Sequence, residues 1–245
     1  MEKEEKKKTR TQVYNVIIMD KSGSMESIRD AAISGFNETL AGIKKAQEKF
    51  SDTQDHFVSL LTFCDCERKY VFDKVPVSDA HPLTRDDYEP CCCTPLYDAM
   101  GFTLTTTHNY VKNIEDCVIV VTIITDGMEN ASKEYTGQNV KQLVERLKGE
   151  GWTFTYMGAN QDSFYVASNL ALRNARNFDY SEEGTIDSMK KDAKTRMNFF
   201  SRLADFKINE FNMYLDDEPP MDATERRNRY TAMADEAFDE EEKKN

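Results

Sequence analysis

The sequence predicts an α/β fold: a doubly wound, mostly parallel six-stranded sheet with helices on both faces and one antiparallel edge strand. Three observations predict it. Apolar β-branched runs alternate with amphipathic stretches of helical period along the chain. The run Cys117–Thr125 is apolar at nearly every position, as a strand covered on both faces must be. The runs 57–63 and 69–77 are separated by only a short turn, so they pair antiparallel at a sheet edge. The 245 residues, 39% hydrophobic and 31% charged, suffice for one domain whose core needs neither disulfides nor a metal staple.

The elements follow in order. The run 13–19 is a buried strand that leads into Asp20. Ile28, Ala32, Phe36, Leu40 and Ile43 then recur at spacings of three and four, the stripe of a helix packed on one side. The edge strand 69–77 carries Pro76 near its end, where a missing backbone donor is tolerated. The segment 78–94 is irregular, with Pro82, Pro90 and three successive cysteines. A helix starts at Pro95, since proline suits a first helical turn, and turns Leu96, Met100, Leu104 and Val111 to the core. Val140, Leu143, Val144 and Leu147 mark the next helix, closed by Gly149 and Gly151. A fifth strand over 152–157, a short helix over 164–172 and a weak sixth strand over 176–180 follow. The last helix carries Ile186, Met189, Ala193, Met197 and Phe200. Beyond about residue 205 the periodicity fades, and Pro219-Pro220 precede an acidic end. The expected plan is therefore a charged tail over 1–11, the folded domain over 12–204, and an acidic extension over 205–245 that is partly helical or disordered.

The net charge of −12 argues against nucleic acid, whose phosphates demand a basic face. Half of that charge sits in residues 216–245, with eleven acids and five bases, where acidity serves solubility. No run of about 18 apolar residues exists, so no membrane span is expected. Residues 1–10 are nearly all charged, and the apolar run behind them is interrupted by Asn15 and ends on Asp20, unlike a secretory signal. The expected location is the cytoplasm, and the six cysteines read as thiols rather than a disulfide framework.

Ligands bind such sheets at the carboxyl ends of the strands, near the point where strand order reverses. The first strand delivers Asp20, Ser22 and Ser24 to that rim, the fourth delivers Asp126, and the loop entering the second major helix delivers Thr94. Two carboxylates and three hydroxyls suit a hard cation, since magnesium takes six oxygens in an octahedron. Neutral hydroxyls leave the cation's charge largely unsatisfied, so an incoming carboxylate gains by completing the shell.

Asp20-x-Ser22-x-Ser24, a separate Thr94 and Asp126-Gly127 together resemble the metal-ion-dependent adhesion site of the von Willebrand factor A family. The resemblance covers roughly 11–203. It implies that Ser22, Ser24 and Thr94 approach the metal directly, while Asp20 and Asp126 balance its charge or act through water. It also implies magnesium (or manganese or calcium) as the ion, and a protein partner that presents Asp or Glu. The chain is similar to a bacterial, cytoplasmic branch of that family in Tyr88-x-Pro90, in Thr94-Pro95-Leu96-Tyr97-Asp98-Ala99, in Thr125-Asp126-Gly127-Met128-Glu129-Asn130-Ala131-Ser132, and in Gly158-Ala159-Asn160-Gln161-Asp162. It departs at Cys92 and Cys93, where small residues or glycine are usual. That departure points to a stiffer or redox-sensitive loop.

Weaker signals read as follows. Cys64 and Cys66 belong to the turn after the second strand, on the same rim as Cys91, Cys92 and Cys93. They read first as small packed side chains, then as zinc thiolates or redox-responsive thiols. Cys117 is core. His56, His81 and His108 have no ligand spacing and read as surface or half-buried. Glu129 and Asn130 read as caps rather than cation contacts. Residues 158–162 read as a turn, with Asp162 or Ser163 capping the next helix.

The leading function is a cation-dependent protein-binding module, not an enzyme. One alternative is a magnesium-dependent phosphoryl-transfer or hydrolytic enzyme with Asp20 as nucleophile. Against it, Ser22 stands where the haloacid-dehalogenase type carries a second Asp, and no Walker loop or nucleophile elbow appears. The other alternative is a structural scaffold that binds no metal.

Overall fold

The computed structural model describes residues 9–158, 163–172, 174–177, 182–215 and 221–242. In chain order the elements are β1 (Thr11–Asp20), α1 (Arg29–Phe50), β2 (Gln54–Phe63), β3 (Arg68–Pro76), α2 (Leu96–Val111), β4 (Cys117–Thr125), α3 (Gly137–Gly149), β5 (Thr153–Gly158), α4 (Ser163–Asn169), β6 (Asn174–Asn177), α5 (Glu182–Leu215) and α6 (Ala223–Glu242). Five strands of six to ten residues and the four-residue β6 lie in the order β3-β2-β1-β4-β5-β6. Only β3 runs antiparallel, paired with β2 at the edge. The strand order reverses between β1 and β4, which places the carboxyl ends of those two strands at the crevice where such sheets bind ligands.

Alternation along the strands decides which helices each residue meets. Tyr14, Val16 and Ile18 of β1, with Ile119, Val121 and Ile123 of β4, pack against Leu96, Met100 and Leu104 of α2 and Val140 and Val144 of α3. Val13, Ile17 and Met19, with Val118, Val120 and Ile124, face the other side, covered by α1 and α5. Both faces are thus apolar because both are covered. The α1–α5 contact is close: a Cβ built on Gly35 would lie 2.5 Å from Met189 Cγ, so glycine lets the helices meet there.

Several boundaries differ from the sequence pattern. Ile28 ends a 3-10 turn over Gly23–Ile28 rather than opening the helix, which begins at Arg29. α2 begins at Leu96, with Pro95 as its cap. β2 begins at Gln54 and β6 at Asn174, while residues 178–180 of the expected sixth strand lie outside the described residues. The expected turn over 158–162 lies, beyond Gly158, outside the described residues.

α5 runs unbroken past residue 205 to Leu215, and α6 packs back onto the sheet end opposite the crevice. Tyr230, Ala234 and Ala237 of α6 are buried with Phe199, Phe200 and Leu203 of α5 and Val13, Val118 and Val120 of the sheet. A polar knot closes that end. Asp116, just before β4, accepts from Tyr230 Oη at 2.8 Å, Lys207 Nζ at 2.8 Å and Thr11 Oγ1 at 3.2 Å.

Among the described residues, Arg196 and Asp192 form an almost fully buried ion pair. Arg196 Nε donates to Asp192 Oδ2 at 2.5 Å on α5, and the guanidinium also reaches Thr122 Oγ1 and, at 3.5 Å, Asn15 Oδ1 of the central strands. Removing one partner of such a pair strands a buried charge, whereas replacing both by apolar groups is often nearly neutral. We therefore expect Arg196→Met to lower the unfolding free energy by about 3–5 kcal/mol, read from urea denaturation. Asp192→Leu combined with Arg196→Met should recover most of that loss.

Candidate metal centre

β1 ends on Asp20, whose side chain is fully buried. Its Oδ1 accepts from the Ser22 amide at 2.7 Å and its Oδ2 from Thr125 Oγ1, the last residue of β4, at 2.6 Å. Its backbone carbonyl accepts from the buried hydroxyl of Tyr88. Ser22 Oγ and Ser24 Oγ lie 3.2 Å apart, and Ser24 Oγ donates to Asp126 Oδ1 at 2.7 Å. A Cβ built on Gly127 would lie 2.9 Å from Thr94 Oγ1, 3.5 Å from Ser24 Oγ and 3.6 Å from Asp20 Oδ2. Oxygens from the loops after β1 and before α2 therefore converge on the space that glycine leaves beside Asp126 in the loop after β4.

That donor set fits a hard cation. An octahedral magnesium with bonds of about 2.1 Å puts neighbouring oxygens about 3.0 Å apart, close to the Ser22–Ser24 separation. No softer ligand takes part in the cradle itself.

The surrounding loops are tied by hydrogen bonds of the acids and amides nearby. The Thr94 amide donates to Asn130 Oδ1 at 2.8 Å, and the Asn130 amide returns a bond to the Thr94 carbonyl at 3.1 Å. Glu129 accepts from the Tyr97 amide at 2.9 Å in the first turn of α2, and from Ser132. Asp98 accepts from the amides of Lys133, Glu134 and Tyr135. Glu129 and Asn130 thus act as caps and clamps. On the other flank, Gly23 N–H donates to the Cys92 carbonyl at 3.0 Å and Cys91 N–H to the Lys21 carbonyl at 2.8 Å.

The five residues picked out in the sequence, Asp20, Ser22, Ser24, Thr94 and Asp126, all lie around this one cradle. Thr125 and Tyr88, which hold Asp20 from either side, had no assigned site role in the sequence. The signal for Thr125 was a hydroxyl directly before Asp126 at a strand end. The histidines lie elsewhere. His56 is buried, which corrects its surface or half-buried reading, and its imidazole is pushed down to about 3 by that burial. It stacks edge-on against Phe200, far along the sheet from the crevice. His108 pairs with Glu150 at 2.9 Å and His81 packs on Phe72. Of the rim cysteines only Cys64 is buried, so the packed-side-chain reading accounts for it alone; Cys66, Cys92 and Cys93 are exposed.

Burial raises the Asp20 carboxyl from its ordinary 3.8 to about 6, opposed in part by the bonds from Thr125 and Ser22 and reinforced by Asp126. Burial also raises Asp126. A raised carboxyl pKa means the folded state holds the proton more tightly. The resulting stability is fully present below about 3.8 and is lost as pH rises through about 6. In chelator-treated protein, Asp20→Asn should therefore gain thermal stability relative to the parent as pH rises across that window, with a level difference above it. A pH-independent difference would contradict the raised pKa.

No protein-family profile matches the chain, and no curated protein sequence matches it. Solved structures do. The pilus adhesin SpaC from Lactobacillus rhamnosus GG, in its open conformation, superposes with a TM-score of 0.56 at 16% identity, covering 79% of this chain and 31% of the adhesin. Proximal thread matrix protein 1 from the mussel byssus, with a zinc-occupied MIDAS motif, gives 0.52 at 14% identity, covering 77% of this chain and 46% of the other. The VWA domain of SpRpn10 gives 0.45 at 12% identity, covering 73% and 94%. The chain spans less than half the length of the first two, and identities this low speak to the fold alone. A parallel sheet with a crossover between β1 and β4, an antiparallel edge strand and helices on both faces is, in this chain, the von Willebrand factor A fold.

Proposed function

We propose that this chain is a divalent-cation-dependent protein-binding module of the adhesion-site type. The observation that carries the reading is the convergence of Asp20 and Ser24 oxygens from the loop after β1, and of Thr94 from the loop before α2, on the space beside Gly127 in the loop after β4. Ser22, Ser24 and Thr94 would hold the ion through hydroxyls, and Asp20 and Asp126 would balance its charge directly or through water. Magnesium is the proposed ion, with manganese or calcium able to replace it. A bound cation supplies a position that accepts an acidic oxygen from outside. The chain's own residues do the rest: the Asn130–Thr94 clamp and the Tyr88 and Thr125 bonds hold the donors in place before the partner arrives.

The proposed partner is a protein that presents Asp or Glu to this rim. Met128 stands exposed just beyond Asp126 and offers an apolar contact beside the acid. The net charge of −12 favours a protein over nucleic acid. Among the described residues no helix is long and apolar enough to cross a membrane. The cytoplasm is the proposed location because the cysteines are free thiols, as a reducing compartment keeps them. The phosphoryl-transfer reading has no observation in its favour. Ser22 and Ser24 leave Asp20 without a neighbouring carboxylate on its own loop, and the described histidines lie away from the crevice.

Manganese titrated into chelator-stripped protein, followed by electron paramagnetic resonance, tests the reading. We expect a single site that magnesium displaces and that Asp20→Ala and Ser22→Ala abolish. Gly127→Ala should weaken binding at least tenfold, because its methyl would press on Thr94 Oγ1 within the cradle. No binding at millimolar ion would overturn the metal-dependent reading. Manganese binding retained in full by Gly127→Ala would place the ion elsewhere.

A further inference from the structure

Beside the oxygen cradle, two loops bring four thiols together. The turn from β2 to β3 carries Cys64 and Cys66 on either side of Asp65, and the loop before α2 carries Cys91 and Cys92. Cys64 Sγ lies 3.1 Å from Cys91 Sγ, and Cys66 Sγ lies 2.6 Å from Cys92 Sγ. The sulfurs of Cys66, Cys91 and Cys92 all fall within 4.8 Å of one another. None of these contacts is used by the cradle, which takes only oxygens.

We propose that Cys64, Cys66, Cys91 and Cys92 form a tetrathiolate zinc site that staples the β2–β3 turn to the loop bearing Thr94. A tetrahedral zinc with bonds of about 2.3 Å sets sulfurs about 3.8 Å apart, so the two close pairs must open and Cys64 must move in toward the other three to admit the ion. One further observation favours a metal over a pair of disulfides. The thiols form a run, Cys64 to Cys91 to Cys92 to Cys66, in which the sulfurs of the middle two lie within 4.8 Å of each other and 3.1 Å and 2.6 Å from their outer partners. A metal uses such a cluster whole, whereas disulfides divide it into separate pairs. Cys92 sits at φ +59°, in the left-handed region that glycine enters freely and cysteine does not. That backbone turns its thiol toward Cys66.

The surroundings suit the chemistry. Binding releases the thiol protons and leaves a net negative centre. Lys21, paired with Glu67 in the turn, also lies close enough to feel Cys64 and Cys91 electrostatically. A groove lined by Cys64, Cys66, Pro95 and Lys133 opens beside the cluster and gives the ion a path in. The two loops already share a backbone bond, Asp65 N–H to the Cys93 carbonyl at 3.0 Å. The staple would therefore stiffen the segment that presents Thr94.

The test uses the full chain, stripped of metal under reductant and titrated with cobalt(II). We expect stoichiometric growth of thiolate-to-cobalt charge transfer together with the intense visible bands of a tetrahedral ion, both bleached by zinc. The bands should vanish in Cys66→Ser combined with Cys92→Ser, two exposed positions, and persist in Cys117→Ser. They should also persist in Ser22→Ala, so that failure of the oxygen cradle and failure of the thiol site are told apart. X-ray absorption at the zinc edge of the unaltered protein, loaded with one equivalent, needs no variant: a shell of sulfur alone is expected. An oxygen or nitrogen shell would overturn the proposal, as would charge transfer surviving in the double variant. Cys64–Cys91 and Cys66–Cys92 disulfides in zinc-saturated protein would overturn it in favour of an oxidative staple.

Discussion

A carboxylate buried at the carboxyl end of the central strand organises the upper half of this molecule. Asp20 has no solvent to turn to, and a buried carboxylate is costly unless its oxygens are bonded. Its bonds come from the Ser22 amide in its own loop and from Thr125 on the neighbouring strand, while Tyr88 anchors its carbonyl from the segment before α2. Satisfying one strand end therefore fixes the relative positions of three loops. Those bonds are neutral and do not cancel the charge, so the carboxyl stays raised. A site with that residual demand is a natural place for a cation.

The two ends of the sheet divide the work. At the crevice end the side chains are oxygens aimed at one point, held by short loops and caps. At the opposite end Asp116, Tyr230, Lys207 and Thr11 close over the strand starts, and Phe199 and Phe200 fill the space beneath α6. α5 spans both regions. Met189 packs where α1 offers Gly35, and Arg196 reaches Thr122 and Asn15 midway along the sheet. An ion pair in that position ties the helix to β1 and β4 through direction-dependent bonds rather than through apolar area alone.

The loop before Thr94 meets two demands at once. Its backbone must come close enough for the Cys92 carbonyl to receive the Gly23 amide, and it must turn through a left-handed residue. Glycine would meet both with least strain. Cysteine at 92 keeps the turn and adds a sulfur that faces Cys66. The strained backbone and the thiol contact thus occur in one residue.

The sequence by itself determined the sheet, the order of its elements and the five oxygen-bearing residues that line the cradle. These depend on short-range patterns: strand Cys117–Thr125 is apolar throughout, and each donor stands within six residues of a strand end or a helix start. It also placed the cysteines of both loops on the same rim. Only the tertiary structure decided which thiols meet, because that depends on how the β2–β3 turn folds over the Thr94 loop. Only it revealed Thr125 as a partner of Asp20, a contact between residues 105 positions apart. The continuation of α5 to Leu215 and the docking of α6 were hidden for a different reason. The stripe Tyr230, Ala234, Ala237, Phe238 has helical spacing, but it covers only two turns and half of it is alanine, so it does not stand out among eleven acids. Their burial follows from the shape of the sheet end they cover, which no local pattern encodes.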